Sequence, residues 1–161
     1  MDLKIISLGP EPNSMIANDE RIFVDTNVFL YAHDRSSERK REIARHILGE
    51  IWEKKNGLLS TQVLQELYIG LARKSVPALA STEVLKILRA LLSWKIVVNS
   101  AVSVLEAIDI HRNYRLSFWD AMIVRAAIQG RAKILCSEDL ADGQSIEGVR
   151  IFNPFRNGLK T

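Results

Sequence analysis

Two hydrophobic periods alternate along this chain. Short apolar blocks, rich in β-branched and aliphatic residues, recur at Ile22-Phe-Val24, Leu58-Leu-Ser60, Lys95-Ile-Val-Val98, Ile134-Leu-Cys136 and Val149-Arg-Ile-Phe152. Each has the length and composition of a strand. Segments with helical spacing separate them. A short helix opens near Asn27 and covers 28–32. The stretch 38–55 places Ile43, Ala44, Ile47, Leu48, Ile51 and Trp52 on one face and charges on the other, and Asn56-Gly57 is expected to end it. The stretch 61–74 repeats the pattern through Val63, Leu64, Leu67, Tyr68 and Leu71; Pro77 then breaks the chain. Helices over 80–92 (Val84, Leu88, Leu91) and 100–112 follow, the latter expected to turn Leu105 and Ile108 inward. The stretch 117–130 is apolar on nearly every side, which predicts a buried helix. A turn-rich acidic loop, 137–148, leads to the last strand.

Strands alternating with helices predict an α/β fold: a three-layer α/β/α sandwich around a central, mainly parallel sheet of four to five strands. At 161 residues the chain fits one domain, placed over 21–155, with a leader over 1–20 and a polar tail over 156–161. The leader, interrupted by Pro10 and Pro12, reads as loosely attached or as an added edge strand over 5–8, and Met15 is an alternative start.

Composition narrows the function. Apolar residues make up 47% and charged residues 25%, ordinary for a soluble protein. No apolar run approaches the roughly 20 residues of a membrane helix, and the leader lacks the layout of a signal peptide. These features place the protein in the cytoplasm, with no membrane partner. One cysteine, Cys136, excludes an internal disulfide and a cysteine zinc cage; its apolar setting suits an inert thiol. The net charge of +3 is compatible with a polyanionic partner.

Four acids occupy positions that a parallel sheet brings to one edge. Asp25 follows the first strand, Glu66 lies in the helix after the second, Asp120 is in the first turn of the apolar helix, and Asp139 follows the fourth strand. Carboxylates crowded there repel unless a cation compensates. Hard oxygen donors without a His or Cys set suit Mg²⁺ or Mn²⁺, and such ions activate water against a phosphodiester. Each acid also has a local reading. Asp25 could begin a turn, Glu66 could pair with Arg73 at the surface, Asp120 fits a capping box with Ser117, and Asp139 and Asp142 could be ordinary loop acids. The weight lies in all four sharing an edge. His33, His46 and His111 have no ligand spacing. Arg35, Arg39, Lys40, Arg73, Lys74, Arg112 and Arg115 are candidate phosphate contacts, and Phe118 and Trp119 read as core rather than base-stacking residues.

Four segments carry a resemblance: Val24-Asp-Thr-Asn-Val-Phe-Leu-Tyr-Ala32, Ser60-Thr-Gln-Val-Leu-Gln-Glu-Leu67, Phe118-Trp-Asp-Ala-Met-Ile-Val124 and Leu135-Cys-Ser-Glu-Asp-Leu-Ala-Asp-Gly143. Together they resemble a PIN-domain ribonuclease, and more narrowly the VapC-type toxin of a toxin–antitoxin pair. The likeness runs from about Arg21 to Phe155; the leader departs from the family pattern, in which the first strand begins almost at once. The resemblance implies that Asp25, Glu66, Asp120 and Asp139 bind metal, with Asp142 as an accessory acid, and that Asn27 and Ser137 orient the cluster. It also implies Mg²⁺ or Mn²⁺, an RNA substrate, homodimers, and a small antitoxin whose tail covers the site.

Other readings stay open at this level. A binding module could use the acidic pocket to hold a partner without catalysis, and a housekeeping RNA-processing or DNA nuclease would present the same acids. An aspartyl-phosphate phosphatase would need a second Asp two residues after Asp25, where this chain has Asn27.

Overall fold

The structure, a computed structural model, describes residues 19–156. The expected edge strand over 5–8, the alternative start at Met15 and all but the first residue of the tail lie outside the described residues.

The strands are β1 (Ile22–Val24), β2 (Gly57–Ser60), β3 (Lys95–Val97), β4 (Ile134–Cys136), β5 (Ser145–Ile146) and β6 (Val149–Phe152). The helices are α1 (Thr26–His33), α2 (Glu38–Lys54), α3 (Thr61–Ile69), α4 (Ser81–Leu91), α5 (Ala101–Tyr114) and α6 (Phe118–Gln129), and a π-helical turn, Gly70–Lys74, extends α3. The sheet order is β3-β2-β1-β4-β6-β5. All neighbours run parallel except β5, which pairs antiparallel with β6.

The chain builds β1, β2 and β3 outward in one direction, then returns to place β4 and β6 on the other side of β1. Right-handed crossovers therefore put the helices before and after the reversal on opposite faces. The packing agrees: α1 packs on α2 and α3, α3 packs on α4, and α5 packs mainly on α6. The result is a three-layer sandwich. Its core contains Phe23, Leu58, Leu59, Leu67 and Leu135, all without solvent exposure.

Three local outcomes differ from the reading of the sequence. The sheet has six strands, because β5 forms inside the acidic loop; Glu147 and Gly148 both take positive φ, as a two-residue hairpin turn requires. Helix α2 ends at Lys55 in the left-handed conformation rather than at Gly57. Gly57 instead opens β2, where an added Cβ would stand 2.5 Å from the Trp94 ring. On α5 the inward residues are Ser103, Ala107 and Ile110, whereas Leu105 and Ile108 face solvent at 65% and 38% exposure. As expected, α6 is buried over seven consecutive residues, Ala121 to Ala127. That stretch includes Arg125, whose guanidinium is paired with Glu106 of α5 at 2.6 Å.

Candidate active site

Strand order reverses between β1 and β4, and the crevice at the carboxyl ends of such strands is where open α/β sheets bind ligands. Asp25 directly follows β1 there. Its backbone N–H donates to the Cys136 carbonyl at 3.0 Å, which fixes the ends of the two strands together. Its side chain caps α1, with Oδ1 accepting from the Thr26 N–H at 2.7 Å. Ser137, the residue after β4, donates its hydroxyl to Oδ2 at 2.7 Å.

The other acids arrive on neighbouring elements, and each is held by a short-range partner. Thr26 donates its hydroxyl to Glu66 Oε2 at 2.6 Å, and Gln62, one helical turn before Glu66, donates to Oε1 at 2.8 Å. Gln62 also donates to the Trp119 carbonyl at 3.3 Å, tying α3 to the start of α6. Ser117 caps α6 by accepting from the Asp120 N–H and donates its hydroxyl to Asp120 Oδ2 at 2.6 Å. Asn27 donates to Asp139 at 3.0 Å and to Asp25 at 3.3 Å, bridging the two. Ser137 Oγ accepts from the Asp139 N–H at 3.2 Å.

Asp25, Glu66, Asp120 and Asp139 thus line one cleft of about 600 Å³, together with Thr26, Asn27 and Gln62. Asp25 is only 5% exposed. Burial, with the nearby charges of Glu66 and Asp139 adding to it, pushes its carboxyl up to about 7; the hydrogen bonds from Ser137 and Thr26 only partly oppose this. The cleft is short of positive charge. A second cleft, of about 580 Å³ at the amino edge of the sheet, is lined by Arg21, Trp52, Trp94 and Lys95 and by a single acid, Asp19. It has none of this chemistry.

Among the described residues, no three His, Cys, Asp or Glu side chains form a ready-made cation cage. That does not conflict with the donor set. Mg²⁺ keeps several waters and needs only one or two protein carboxylates, and the donors around Asp25 are hard oxygens. The residues present therefore fit a hydrated divalent ion.

The remaining expected residues fall elsewhere. Asp142 does not line the cleft; it accepts from the Asn153 N–H at 2.9 Å and lies 3.7 Å from Arg156, fixing the end of β6. Lys40 is committed to Glu138 at 2.5 Å and to the Tyr31 hydroxyl at 3.1 Å, so it is not a free phosphate contact. Arg39 points its guanidinium to the Phe155 carbonyl at 3.5 Å. Arg35, Arg73, Arg112 and Arg115 are exposed away from the cleft wall, and Lys74 is the cation that lines it. Trp119, read as core, is 64% exposed at the cleft. Thr26 and Gln62 were not anticipated. Their signals were faint: one is the neighbour of Asp25, the other lies four residues before Glu66. Cys136 is buried, and burial pushes its thiol well above the usual range, in keeping with an inert role.

Comparisons with known proteins accord with this geometry. In solved structures the chain resembles the toxin–antitoxin complex of Klebsiella pneumoniae at 24% identity and a TM-score of 0.60, covering 83% of this chain and 97% of that one. It resembles Mycobacterium tuberculosis VapC20, described as a Sarcin-Ricin loop cleaving toxin, at 20% identity and 0.52, covering 71% and 86%. It also resembles the DNA-bound VapBC of Salmonella typhimurium at 19% identity and 0.56, covering 82% and 96%. These likenesses establish the fold. A comparison with curated proteins gives no match. The family model of the PIN domain matches residues 22–141, which span every acid of the cleft, and the chain belongs to the PIN domain family.

Proposed function

We propose that this protein is a metal-dependent endoribonuclease and the toxin of a type II toxin–antitoxin pair. One observation carries the reading: four carboxylates from β1, α3, α6 and the segment after β4 share a cleft at the strand reversal, where Asp25 is buried and starved of positive charge.

Asp25, Glu66, Asp120 and Asp139 would hold Mg²⁺ or Mn²⁺. Such an ion, when bound, supplies an activated water and offsets charge on the phosphodiester. The chain's own groups set the geometry. Ser137 and Asn27 fix Asp25 and Asp139 relative to one another. Thr26 and Gln62 leave Glu66 little freedom to rotate, and Ser117 does the same for Asp120. Lys74 at the cleft, with Arg35, Arg73 and Arg112 further out, would meet the RNA backbone through salt-sensitive contacts that read no sequence.

The toxin role rests on the neighbours, among them a toxin–antitoxin complex and a VapBC complex bound to DNA. A small antitoxin would inhibit the enzyme by covering the cleft. A homodimer is supported by the outward apolar stripe of α5, Val102, Leu105 and Ile108, since exposed apolar patches mark contact surfaces. No helix among the described residues is long and apolar enough to cross a membrane, and we place the protein in the cytoplasm.

The test is cleavage of RNA by the purified chain. It should require Mg²⁺ or Mn²⁺, stop with EDTA, and disappear in Asp25→Asn and in Asp120→Asn. Activity surviving both substitutions rules the reading out. Tight partner binding without cleavage at any metal concentration would leave a non-catalytic module instead.

A further inference from the structure

We infer that Trp119 is the surface on which a base of the substrate stacks beside the acidic cluster, an inference that rests on the ribonuclease reading above. The indole is 64% exposed, although the seven residues from Ala121 onward in the same helix are buried. It is not loosely held. The Phe118 ring stands edge-on to it, with centroids 5.2 Å apart and planes at 68°. Its carbonyl accepts from Gln62, the same side chain that holds Glu66. The indole lines the same cleft as Asp120, Glu66 and Asp139, so a group resting on it lies beside the carboxylates.

The cleft itself creates the need for such a surface. Its acids repel a phosphodiester strand, and Lys74 is the cation in its lining. Beside the polar Thr26, Asn27, Gln62 and Gln65, the wall presents an apolar surface made by Leu30, Ile69, Ile123 and the indole. Beside the backbone contacts of Lys74 and the outer arginines, affinity at this wall then draws on the faces of the bases. An aromatic platform accepts any base, because every base presents a π-face. Trp119 therefore sets affinity and the register of the strand over the acids, and leaves the choice of base to other contacts. Bases held inside a duplex present no free face, so the segment at the cleft must be unpaired.

The experiment measures KM and kcat for cleavage of an unpaired RNA oligonucleotide by the full chain with Mn²⁺, for wild type, Trp119→Ala and Trp119→Phe. Trp119→Ala should raise KM about 5- to 150-fold, the span expected for losing one stacked base. Trp119→Phe should stay close to wild type. A second substrate with an abasic ribose beside the cleaved bond should erase the difference between wild type and Trp119→Ala. Sedimentation of each variant accompanies the kinetics. An unchanged KM in Trp119→Ala, or an abasic substrate that penalises both proteins equally, overturns the inference while the ribonuclease reading stands. A KM defect that appears only together with a change of oligomeric state also overturns it, because the indole would then serve subunit contact. Wild-type protein that cleaves no RNA fails the ribonuclease reading itself, and this inference with it.

Discussion

Neutralising Asp25 should make the metal-free protein more stable, and the gain should depend on pH. Below pH ~4 the carboxyl is protonated in both the folded and unfolded chain, and nothing is gained. As pH rises, the unfolded chain releases the proton near 3.8, while the folded chain keeps it until about 7. The wild type therefore loses stability progressively across that interval and levels off above it. At about 1.4 kcal/mol per pH unit, the full penalty is about 4 kcal/mol. Asp25→Asn removes this penalty but not without loss. The amide oxygen still accepts from Thr26, and the Ser137 hydroxyl turns to accept from the new NH₂ group. The Asn27 amide then keeps its bond to Asp139 but loses the one to this side chain, which costs about 1 kcal/mol. The net expectation is a gain of about 2–3 kcal/mol at pH 8 that vanishes near pH 4. The assay is urea unfolding of both proteins in EDTA at pH 4, 6 and 8, where such a gain moves the midpoint by about 1–2 M. Subtracting one protein from the other isolates Asp25 from groups such as His33, whose pKa burial lowers. Adding Mn²⁺ should close the gap at pH 8 by stabilising the wild type alone. A difference that stays flat from pH 4 to 8, or an Asn variant less stable at pH 8, would refute the argument that Asp25 is buried without compensation.

Thr26→Val removes the 2.6 Å hydrogen bond to Glu66 and should lower cleavage about 10- to 100-fold with the melting temperature little changed, while Thr26→Ser retains activity. Gly57→Ala drives a methyl into the Trp94 ring and should destabilise the fold by about 1–3 kcal/mol in chemical denaturation. Lys40→Met leaves Glu138 and Tyr31 without their shared cation and should cost about 1 kcal/mol; a double-mutant cycle with Glu138→Gln should show positive coupling between the two sites. Leu105→Lys, at an exposed position, should change monomer stability by less than about 0.5 kcal/mol yet weaken self-association in sedimentation.

Hydrophobic period alone marked five of the strands: β1, β2 and β4 are buried runs, β6 alternates buried with exposed positions, and β3 is a short β-branched block between helical segments. The meeting of three acids was legible for the same reason: a parallel sheet puts strand ends and the helices that follow on one edge, so placing the strands placed Asp25, Glu66 and Asp139, whereas Asp120, in a helix that follows α5, reaches that edge through the pairing of α5 with α6. What stayed hidden depended on contacts between distant segments. β5 is two residues long and exists only as the partner of β6. The inward face of α5 is made of Ser103 and Ala107, small residues that let α6 approach, so the larger Leu105 and Ile108 misled. Lys40 looked like any surface cation until Glu138, 98 positions away, came to meet it. Trp119 looked like core because its helix is core. Thr26 and Gln62 declare their roles only once the Glu66 carboxylate lies between them.

Among the described residues, the strand made first lies inside the sheet, and one of its two neighbours is β4, synthesised some hundred residues later. Until β4 emerges, β1 has one side unpaired, and neither Ser137 nor Asp139 exists to complete the cleft. A growing chain can carry Asp25, Glu66 and Asp120 and still lack the finished cleft. Whatever chemistry needs the full acid set can therefore begin only once nearly the whole domain has been made.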